Sequence, residues 1–257
     1  MRFGSLGLFE IVLILGLVFL LFGGRHVPKA GKQLGERARR PFRKAKWIWN
    51  SMAGSEEDAI QSEEEYGSEC ARLFEQDTAV SAHSVKTRMV SETGEKLTAK
   101  VGKGRRFVFR VIQTPRANAF ALPGGFIYVT EALLEVCGHA PDEIAFILGH
   151  EMGHVLLGHA SERYMSDTLL DQVTKRLPAA SGLIRSAISS GYSREQEFEA
   201  DSEGQRLAVS AGFDAMAGVR VMRQLATVSP AHSGLLDEYL STHPPLEARA
   251  AALARQG

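Results

Sequence analysis

Hydrophobic and polar positions divide the chain into an apolar start, a basic amphipathic stretch and a longer region of mixed periodicity. Residues 6–22 are apolar apart from Glu10 and small residues, and a helix of this length measures about 25 Å, slightly less than a typical hydrocarbon core. Local thinning of the bilayer can accommodate it. A cleavable signal peptide is the alternative, but bulky residues stand where a cleavage site needs small ones. We therefore predict a retained transmembrane anchor over residues 1–24.

A basic segment follows at residues 25–50, in which Glu36 is the single acidic residue. Its apolar residues recur every three or four positions between the basic ones, which is typical of a helix lying in the membrane surface. An excess of Lys and Arg beside a membrane span favours the cytoplasmic side. A solvated basic linker is the alternative. We predict that residues 6–50 contact membrane lipid.

The composition changes again after residue 50. Residues 51–67 are rich in Ser, Gly and acidic side chains, which predicts an acidic linker or a frayed helix start. The remaining residues, 68–257, alternate between strand-like and helix-like periodicity and are predicted to form one domain. A short helix over 68–76 and a strand over 106–112 are expected near its start.

Two strand-like pieces surround a Pro-Gly-Gly turn at residues 123–125. The first piece contains Asn118, Ala119, Phe120 and Ala121. Proline in this position indicates a sheet edge, and a free edge can pair with an extended peptide. A plain hairpin that only completes the sheet agrees equally well with the spacing.

Size, charge and cysteine content narrow the class of protein. The 257 residues, 44% hydrophobic and 23% charged, allow one sizeable core with smaller appendages. The formal net charge is zero, so the overall charge favours no particular partner, and we predict no nucleic acid. Cys70 and Cys137 are too few for a disulfide scaffold, and neither has a second cysteine at metal-ligand spacing.

The sequence His-Glu-Met-Gly-His occupies positions 150–154 within an apolar, helix-compatible run from Ile144 to Leu157. On a helix, His150 and His154 lie one turn apart on the same face, so both imidazoles can reach one ion. Glu151 is then placed to reach a water molecule on that ion. This arrangement is typical of zinc hydrolases. A helix with two surface histidines and an unrelated glutamate is the alternative.

A zinc site of this kind needs a third protein ligand. Glu197 and Asp201 are four residues apart, so on a helix they share a face. One carboxylate can bind the metal while the other accepts a hydrogen bond from a liganding imidazole. Spacing alone does not decide between Glu197 and its acidic neighbours Glu195 and Glu199.

Four motifs occur in order along the chain: Asn-Ala-Phe-Ala-Leu-Pro-Gly-Gly at 118–125, the motif at 150–154, Ser-Arg-x-x-Glu-x-x-Ala-Asp at 193–201 and Ser-Thr-His-Pro at 241–244. Together they resemble metallopeptidase family 48, the gluzincins that include HtpX- and OMA-like endopeptidases. The resemblance implies an α+β, mostly helical zincin-like domain with a small sheet that has an exposed edge.

The same resemblance implies the roles of individual residues. His150, His154 and Glu197 would bind one zinc ion per chain, Glu151 would act as the base, and Asp201 would support a ligand. The family's activity implies hydrolysis of peptide bonds in protein or peptide substrates, with a role in quality control of membrane-associated or misfolded proteins.

The amino-terminal segment carries a second resemblance. Glu10 early in a short span, the Phe22-Gly23 pair and Pro28 before a basic amphipathic stretch resemble the small pore-forming subunit of the twin-arginine translocase. This implies a single-pass protein of a bacterial-type inner membrane with a cytoplasmic catalytic domain. An extracytoplasmic domain is the alternative, because singly anchored members of the peptidase family often act there. A translocase-like or homo-oligomeric assembly is a further expectation.

Two competing functions remain open. The chain could be a non-catalytic zinc-binding component of a protein export or assembly machinery, although such a protein would have no need of Glu151. The zinc could also be purely structural, in which case His243 would have to close the fourth position. His243 and Arg249 are alternatively candidates to stabilise the oxyanion, and His243 could be a fourth ligand that switches the site off.

Overall fold

A computed structural model of the chain describes residues 46–51, 53–102, 104–165, 188–227, 233–243 and 246–256. The predicted anchor at 1–24 and most of the predicted amphipathic helix at 25–50 lie outside the described residues. In the part that is described, no helix combines the length and apolar character needed to span a membrane.

Eight helices and three strands have both ends within the described residues. They are α1 (Glu56–Gln76), α2 (Ser84–Thr98), β1 (Val108–Ile112), β2 (Ala119–Leu122), β3 (Phe126–Thr130), α3 (Glu131–Val136), α4 (Pro141–Leu156), α5 (Arg194–Ser210), α6 (Ala217–Thr227), α7 (Ser233–Thr242) and α8 (Leu246–Leu253). The residues at 46–51 and 159–165 are also helical. The mostly helical α+β fold with a small sheet is therefore confirmed for this part of the chain.

The three strands form one sheet in the order β1-β3-β2. β1 runs parallel to β3, and β2 runs antiparallel to it, with Ala119 opposite Val129. Gly124 and Gly125 have φ angles of 77° and 85°, a conformation that glycine adopts without strain and that the tight β2–β3 turn requires. Among the described strands, β2 lies at an edge, as the proline before this turn predicted.

The sheet lies between two groups of helices. Alternate residues along a strand point to opposite faces, so Phe109, Val111 and Val129 join the core that includes α4. On the other face, Phe120 and Tyr128 pack with residues of α1. The metal-binding motif of α4 is therefore placed directly beneath one face of the sheet.

Helix α4 is buried on all sides, from Glu143 to Val155. Pro141 occupies its first turn, where no backbone N–H is needed, and Asp142 and Glu143 face the positive end of the helix dipole. Burial on every side explains why the run from residue 144 reads as continuously apolar rather than amphipathic.

Helices α4 and α5 make the largest contact between two elements in the described chain. Their close approach depends on glycine, because a Cβ atom on Gly204 would lie 2.6 Å from the backbone nitrogen of His150. A Cβ atom on Gly149 would lie 2.8 Å from the Gly204 carbonyl oxygen. The absence of side chains at these positions brings α5 close enough for its carboxylates to reach the imidazoles of α4.

Residues 56–67, predicted as an acidic linker or a frayed helix start, are part of α1, so the linker alternative is wrong there. The Ser55 and Asp58 side chains form a capping box that starts the helix. Its inner side is buried, including Glu63 and Tyr66, which are 4% and 8% exposed. The acid-rich composition was misleading because several of these acidic residues lie on the outer side, while contacts distant in sequence stabilise the inner side.

Trp47, near the end of the predicted membrane-surface segment, packs onto this domain. It is 1% exposed, and its ring stacks on Tyr66 with a centroid distance of 4.9 Å. Lys46 contacts Glu65 at 3.0 Å. At least these last residues of the 25–50 segment therefore contact protein.

Candidate metal centre

Helix α4 presents both histidines of the motif to one point. His150 and His154 are 2% and 0% exposed, and their Nε2 atoms are 3.1 Å apart. This is the geometry that the four-residue spacing predicted, because residues four apart on a helix are neighbours on its surface.

Helix α5 supplies the carboxylate that faces these imidazoles. The Glu197 Oε1 atom lies 3.4 Å from His154 Nε2, and its Oε2 atom lies 3.8 Å from His150 Nε2. Ser193 begins α5 through a capping box with Gln196, which fixes the first turn that carries Glu197. Glu195, in contrast, is exposed, so the structure distinguishes residues that spacing left equivalent.

His243, directly after α7, completes the group. Its Nδ1 atom is 2.9 Å from Glu197 Oε1, and its Nε2 atom is 3.7 Å from Glu151 Oε1. One ligand atom from each of His150, His154, Glu197 and His243 lies within 4.8 Å of the others. Ligands about 2 Å from one zinc ion lie roughly 3–4 Å apart, so this donor set fits zinc.

Asp201 and Arg249 lie behind the candidate ligands. His150 Nδ1 donates to Asp201 Oδ1 at 3.0 Å, and Arg249 donates two hydrogen bonds of 2.7 Å to the same carboxylate. Arg249 Nη1 also lies 2.5 Å from Glu197 Oε2. Asp201 therefore lies where the sequence predicts a carboxylate that accepts a hydrogen bond from a liganding imidazole. Arg249, one of the two candidate oxyanion donors, is fully buried and directs its guanidinium at these two carboxylates.

Hydrogen-bond partners on the outer sides of the imidazoles indicate which ring nitrogens carry protons. His150 Nδ1 faces Asp201, so its proton lies there. His159 Nε2 contacts Glu199, and its Nδ1 lies 3.1 Å from His154 Nδ1, which places the His154 proton on Nδ1. Both Nε2 atoms then direct lone pairs at each other, and a bound cation would remove their repulsion.

The electrostatic environment favours most of the protonation states that a metal requires. Burial lowers the pKa of His154. Burial alone would raise the pKa of Glu197, but the neighbouring histidines, His243 first among them, hold it well below its usual range. Burial opposes protonation of His150, yet its hydrogen bond to Asp201 raises its pKa. Metal binding must therefore displace any proton on His150 Nε2, and affinity should fall in acid.

Glu151 differs from the other carboxylates of the site. It is 0% exposed, and neither of its carboxylate oxygens has a hydrogen-bond partner in the described residues. A buried carboxylate without a partner is costly to the fold. Such a group is expected where water or substrate, rather than protein, supplies the partner.

The predicted substrate strand borders this centre. Thr130 N donates to Asn118 O at 2.9 Å, so the backbones of Asn118 and Phe120 face β3, and those of Ala119 and Ala121 face outward. Arg163 Nη2 donates to the outward carbonyl of Ala121 at 3.3 Å. The edge is therefore unpaired by another described strand but is partly covered by a side chain.

A cavity of about 430 Å³ opens at the beginning of β2. Its apolar wall includes Phe74, Ile112, Phe120 and Ile188. Ser241, two residues before His243, also borders it. The cavity thus extends from the predicted substrate strand to residues just before His243.

Comparison with known proteins decides the family. The profile described as Peptidase family M48 matches residues 84–256. The chain belongs to peptidase family M48. The match includes the two histidines and Glu151 on α4, Glu197 and Asp201 on α5, and His243, and it confirms the expected membership of metallopeptidase family 48.

Curated relatives agree with the M48 assignment. The chain is 32% identical over 168 residues to "Metalloendopeptidase OMA1, mitochondrial" of Bos taurus, covering 58% of this chain and 32% of the relative. It is 30% identical over 179 residues to "Metalloprotease YcaL" of Escherichia coli (strain K12), covering 62% and 68%. It is 24% identical over 193 residues to "Metalloprotease LoiP" of the same organism, covering 70% and 74%. This chain spans about a third of the length of the mammalian mitochondrial relatives that it matches.

A second profile, described as the mttA/Hcf106 family, matches residues 3–46. This confirms the expected resemblance of the amino-terminal segment to small translocase subunits. The chain therefore joins an M48 domain to a segment of a different family. Cys70 and Cys137 are both buried, and neither belongs to a disulfide.

His159 has a closer connection to the M48 centre than its spacing suggested. On a continuous helix, the five-residue spacing would turn His159 away from the face that carries His154. Helix α4, however, ends at Leu156, and Gly158 has a φ angle of 80° before the helical residues resume. This interruption redirects the chain and brings His159 Nδ1 to His154 Nδ1. Gly158, four residues after the motif, was a signal of this helix break that the sequence offered.

Tyr192 was not predicted from the sequence. Its ring lies parallel to the His154 ring, with an interplanar angle of 10° and a centroid distance of 3.6 Å. Burial raises the pKa of the Tyr192 hydroxyl above its ordinary value, so the phenol keeps its proton near neutral pH. A lone tyrosine forty residues after the motif carried no recognisable signal.

Proposed function

We propose that this chain is a zinc-dependent endopeptidase. The observation that carries the proposal is the convergence of His150, His154 and Glu197 beside Glu151, whose buried oxygens have no hydrogen-bond partner in the described chain. Three protein ligands and an adjacent carboxylate are the elements of a hydrolytic zinc site. Family membership and the names of the relatives support the same activity.

The residues can account for the proton transfers of peptide hydrolysis. When bound, zinc supplies a Lewis acid that polarises the peptide carbonyl and acidifies water. Glu151 accepts a proton from the attacking water as the water oxygen bonds to the carbonyl carbon. The same carboxyl group then donates that proton to the peptide nitrogen as the C–N bond breaks, which returns Glu151 to its ionised form.

The outward edge of β2 is the proposed substrate site. An extended peptide would hydrogen-bond to the outward backbones of Ala119 and Ala121. Its side chains would alternate between the α4 side and the opposite side of the sheet. The cavity beside Phe120 lies on that opposite side and suits an apolar side chain. Protein or peptide substrates with extended segments are therefore the proposed partners.

Cellular location and role extend the proposal. The mttA/Hcf106 match and the apolar run at 6–22 support a single-pass anchor in a bacterial-type inner membrane. The basic residues at 25–50 favour a cytoplasmic domain, with an extracytoplasmic domain as the alternative. Substrates would then be membrane-associated or misfolded proteins, and the anchor could assemble in a translocase-like or homo-oligomeric manner.

His243 is proposed as a fourth ligand that keeps the resting site closed. Its Nδ1 is already 2.9 Å from Glu197 Oε1, so a small movement decides whether it binds metal or supports Glu197. His243→Ala is expected to raise basal cleavage and weaken metal affinity. If neither quantity changes, this role is excluded.

The test uses the full-length chain in detergent, because α1 begins at Glu56 and truncation within it would damage the domain. Wild type, Glu151→Gln and the matched control Glu195→Gln are compared for bound zinc and for casein cleavage with and without a chelator. We expect about one zinc in each protein, and cleavage only by wild type and the control. Loss of a catalytic carboxylate should reduce the rate at least about 100-fold.

The alternative function, a non-catalytic zinc-binding component of an export or assembly machinery, is favoured by the translocase-like segment. It predicts that wild type and Glu151→Gln bind zinc equally and that neither cleaves casein. Repeating the assay with His243→Ala then separates a closed enzyme from a non-enzyme, because only a closed enzyme gains activity.

A further inference from the structure

Tyr192 combines burial, proximity to the metal centre and an unused hydrogen-bond donor. The residue is 7% exposed, and its hydroxyl has no hydrogen-bond partner in the described part of the chain. Its ring is stacked on the His154 ring at 3.6 Å. Because a buried hydroxyl normally finds a partner, its partner is expected to be a molecule that enters the site.

Arg163 holds Tyr192 from the opposite side. Its guanidinium carbon lies 4.1 Å from the centroid of the Tyr192 ring. Its two terminal nitrogens donate to the carbonyl oxygens of Ser190 and Ala121, at 3.4 and 3.3 Å. One side chain thus connects the segment before α5 with the substrate edge of β2. This connection fixes the tyrosine with respect to both the metal ligands and the strand on which a peptide would lie.

The other candidates for a donor to the substrate are already engaged. Arg249 contacts Asp201 and Glu197 through its guanidinium. His243 is directed at Glu197 through Nδ1. The Tyr192 hydroxyl and Arg163 Nε are both buried donors of the described site without a protein acceptor. Of these two residues, Tyr192 is the one whose ring stacks on a candidate metal ligand, His154.

We propose that the Tyr192 hydroxyl donates a hydrogen bond to the substrate carbonyl oxygen as that oxygen becomes negatively charged. The proton stays on the phenol, and no covalent bond to the tyrosine forms. This inference rests on the proposed peptidase function and adds a catalytic residue to it. Arg163 is a positioning residue, because it acts on the substrate only by holding the phenol ring.

A donor used in the transition state should affect the turnover rate more than substrate affinity. Removing one oxyanion donor commonly lowers kcat by about 100- to 1,000-fold. For Tyr192→Phe we therefore expect a fall in kcat of this size with KM changed less than about threefold. The phenyl ring keeps the stack on His154, so bound zinc and the melting temperature should stay close to those of wild type.

The experiment compares full-length wild type with Tyr192→Phe and with Tyr128→Phe as a matched control. Tyr128 is a buried tyrosine on β3 whose hydroxyl donates to Glu75, so its loss tests the same chemical change elsewhere. Each protein is assayed for zinc content, melting temperature, kcat and KM. Calorimetry then measures affinity for two peptides of one sequence, a phosphinic peptide that mimics the charged tetrahedral state and a reduced-amide peptide that lacks the oxygen.

The expected result is a selective loss. Tyr192→Phe should bind the phosphinic peptide at least tenfold more weakly and the reduced-amide peptide unchanged, while Tyr128→Phe binds both as wild type does. Retention of kcat within about threefold would overturn the proposal. Loss of zinc, or equal weakening towards both peptides, would also overturn it by assigning Tyr192 a structural role.

Failure of the broader peptidase proposal would look different. Wild type would bind zinc and cleave no peptide, and the calorimetric comparison would still test the hydroxyl. Arg163→Lys provides a second check, because it keeps the charge but loses the planar contact with the ring. We expect kcat to fall about tenfold with the selectivity between the two peptides reduced.

Discussion

Two buried carboxylates, Glu197 and Glu63, are surrounded by different kinds of partner. Glu63 of α1 accepts hydrogen bonds from Gly124 N at 3.0 Å and Ser161 Oγ at 2.8 Å. It also forms an ion pair with Arg105 at 3.1 Å. The donors of the chain itself satisfy this carboxylate, and they connect α1 to the β2–β3 turn and to the helical residues after α4.

Glu197 has partners that leave room for a cation. Its oxygens lie near Nε2 of His150 and His154, which present lone pairs rather than protons, as well as near Arg249 and His243. A carboxylate whose partners are all donors stabilises a fold, whereas a carboxylate that also faces unprotonated imidazole nitrogens has the donor set that a metal ion requires. Burial alone therefore does not identify a functional acid, but the protonation of its neighbours does.

Of the substitutions that test this comparison, removal of Arg249 should cause the largest loss in the free energy of unfolding. Arg249→Ala leaves the buried carboxylates of Asp201 and Glu197 without their cation, and breaking such a group typically costs about 3–5 kcal/mol. Urea unfolding should show a loss of this size, and bound zinc should fall because both His150 and Glu197 lose support.

Arg249→Lys is the matched variant for that prediction, since it restores charge without the bidentate contact. Compared with Arg249→Ala, Arg249→Lys should be more stable and should bind more zinc, although less than wild type in both respects. An Arg249→Ala protein that kept wild-type stability and full zinc would show that the ion cluster is dispensable, and the distinction between the two carboxylates would lose its basis.

The sequence predicted the local geometry of the metal centre well. Residues such as His150 and His154, or Glu197 and Asp201, interact at distances set by one turn of helix, so their spacing predicts their relative placement. The sheet edge at β2 followed similarly from proline and glycine in the turn. These features depend on backbone regularities within a few residues.

The parts that were missed depend on contacts between distant segments. The first part of α1, residues 56–67, was not predicted as a stable helix because the partners that stabilise it, Gly124 and Ser161, are far away in sequence. Arg249 was considered only as a candidate oxyanion donor, because its contacts with the carboxylates of α5 could not be inferred from spacing. The position of Tyr192 depends on stacking with His154, thirty-eight residues earlier. Hydrophobic periodicity along the sequence does not predict such a contact.

Glu63→Gln tests the carboxylate that stabilises the fold, and its expected effect on stability is smaller than that of Arg249→Ala. The amide keeps the size of the side chain but removes the charge next to Arg105 and one acceptor, so we expect a loss of about 2 kcal/mol in the free energy of unfolding. Zinc content and kcat of the folded protein should be unchanged. A fall in zinc affinity comparable with that of Arg249→Ala would mean that α1 and the metal centre are coupled, contrary to the comparison.

The same Ser→Ala substitution at two helix caps extends the comparison, and it has the smallest expected loss in the free energy of unfolding. Ser55 caps α1 and Ser193 caps α5, each through a capping box, so Ser55→Ala and Ser193→Ala should each cost about 1 kcal/mol in thermal or urea unfolding. The first turn of α5 carries Glu197 and follows Tyr192, whereas the first turn of α1 carries no residue of the metal centre. Ser193→Ala should therefore weaken zinc binding several-fold in a chelator competition, and Ser55→Ala should leave it unchanged. Equal effects of the two substitutions on zinc would show that global stability, rather than the local order of α5, controls the metal site.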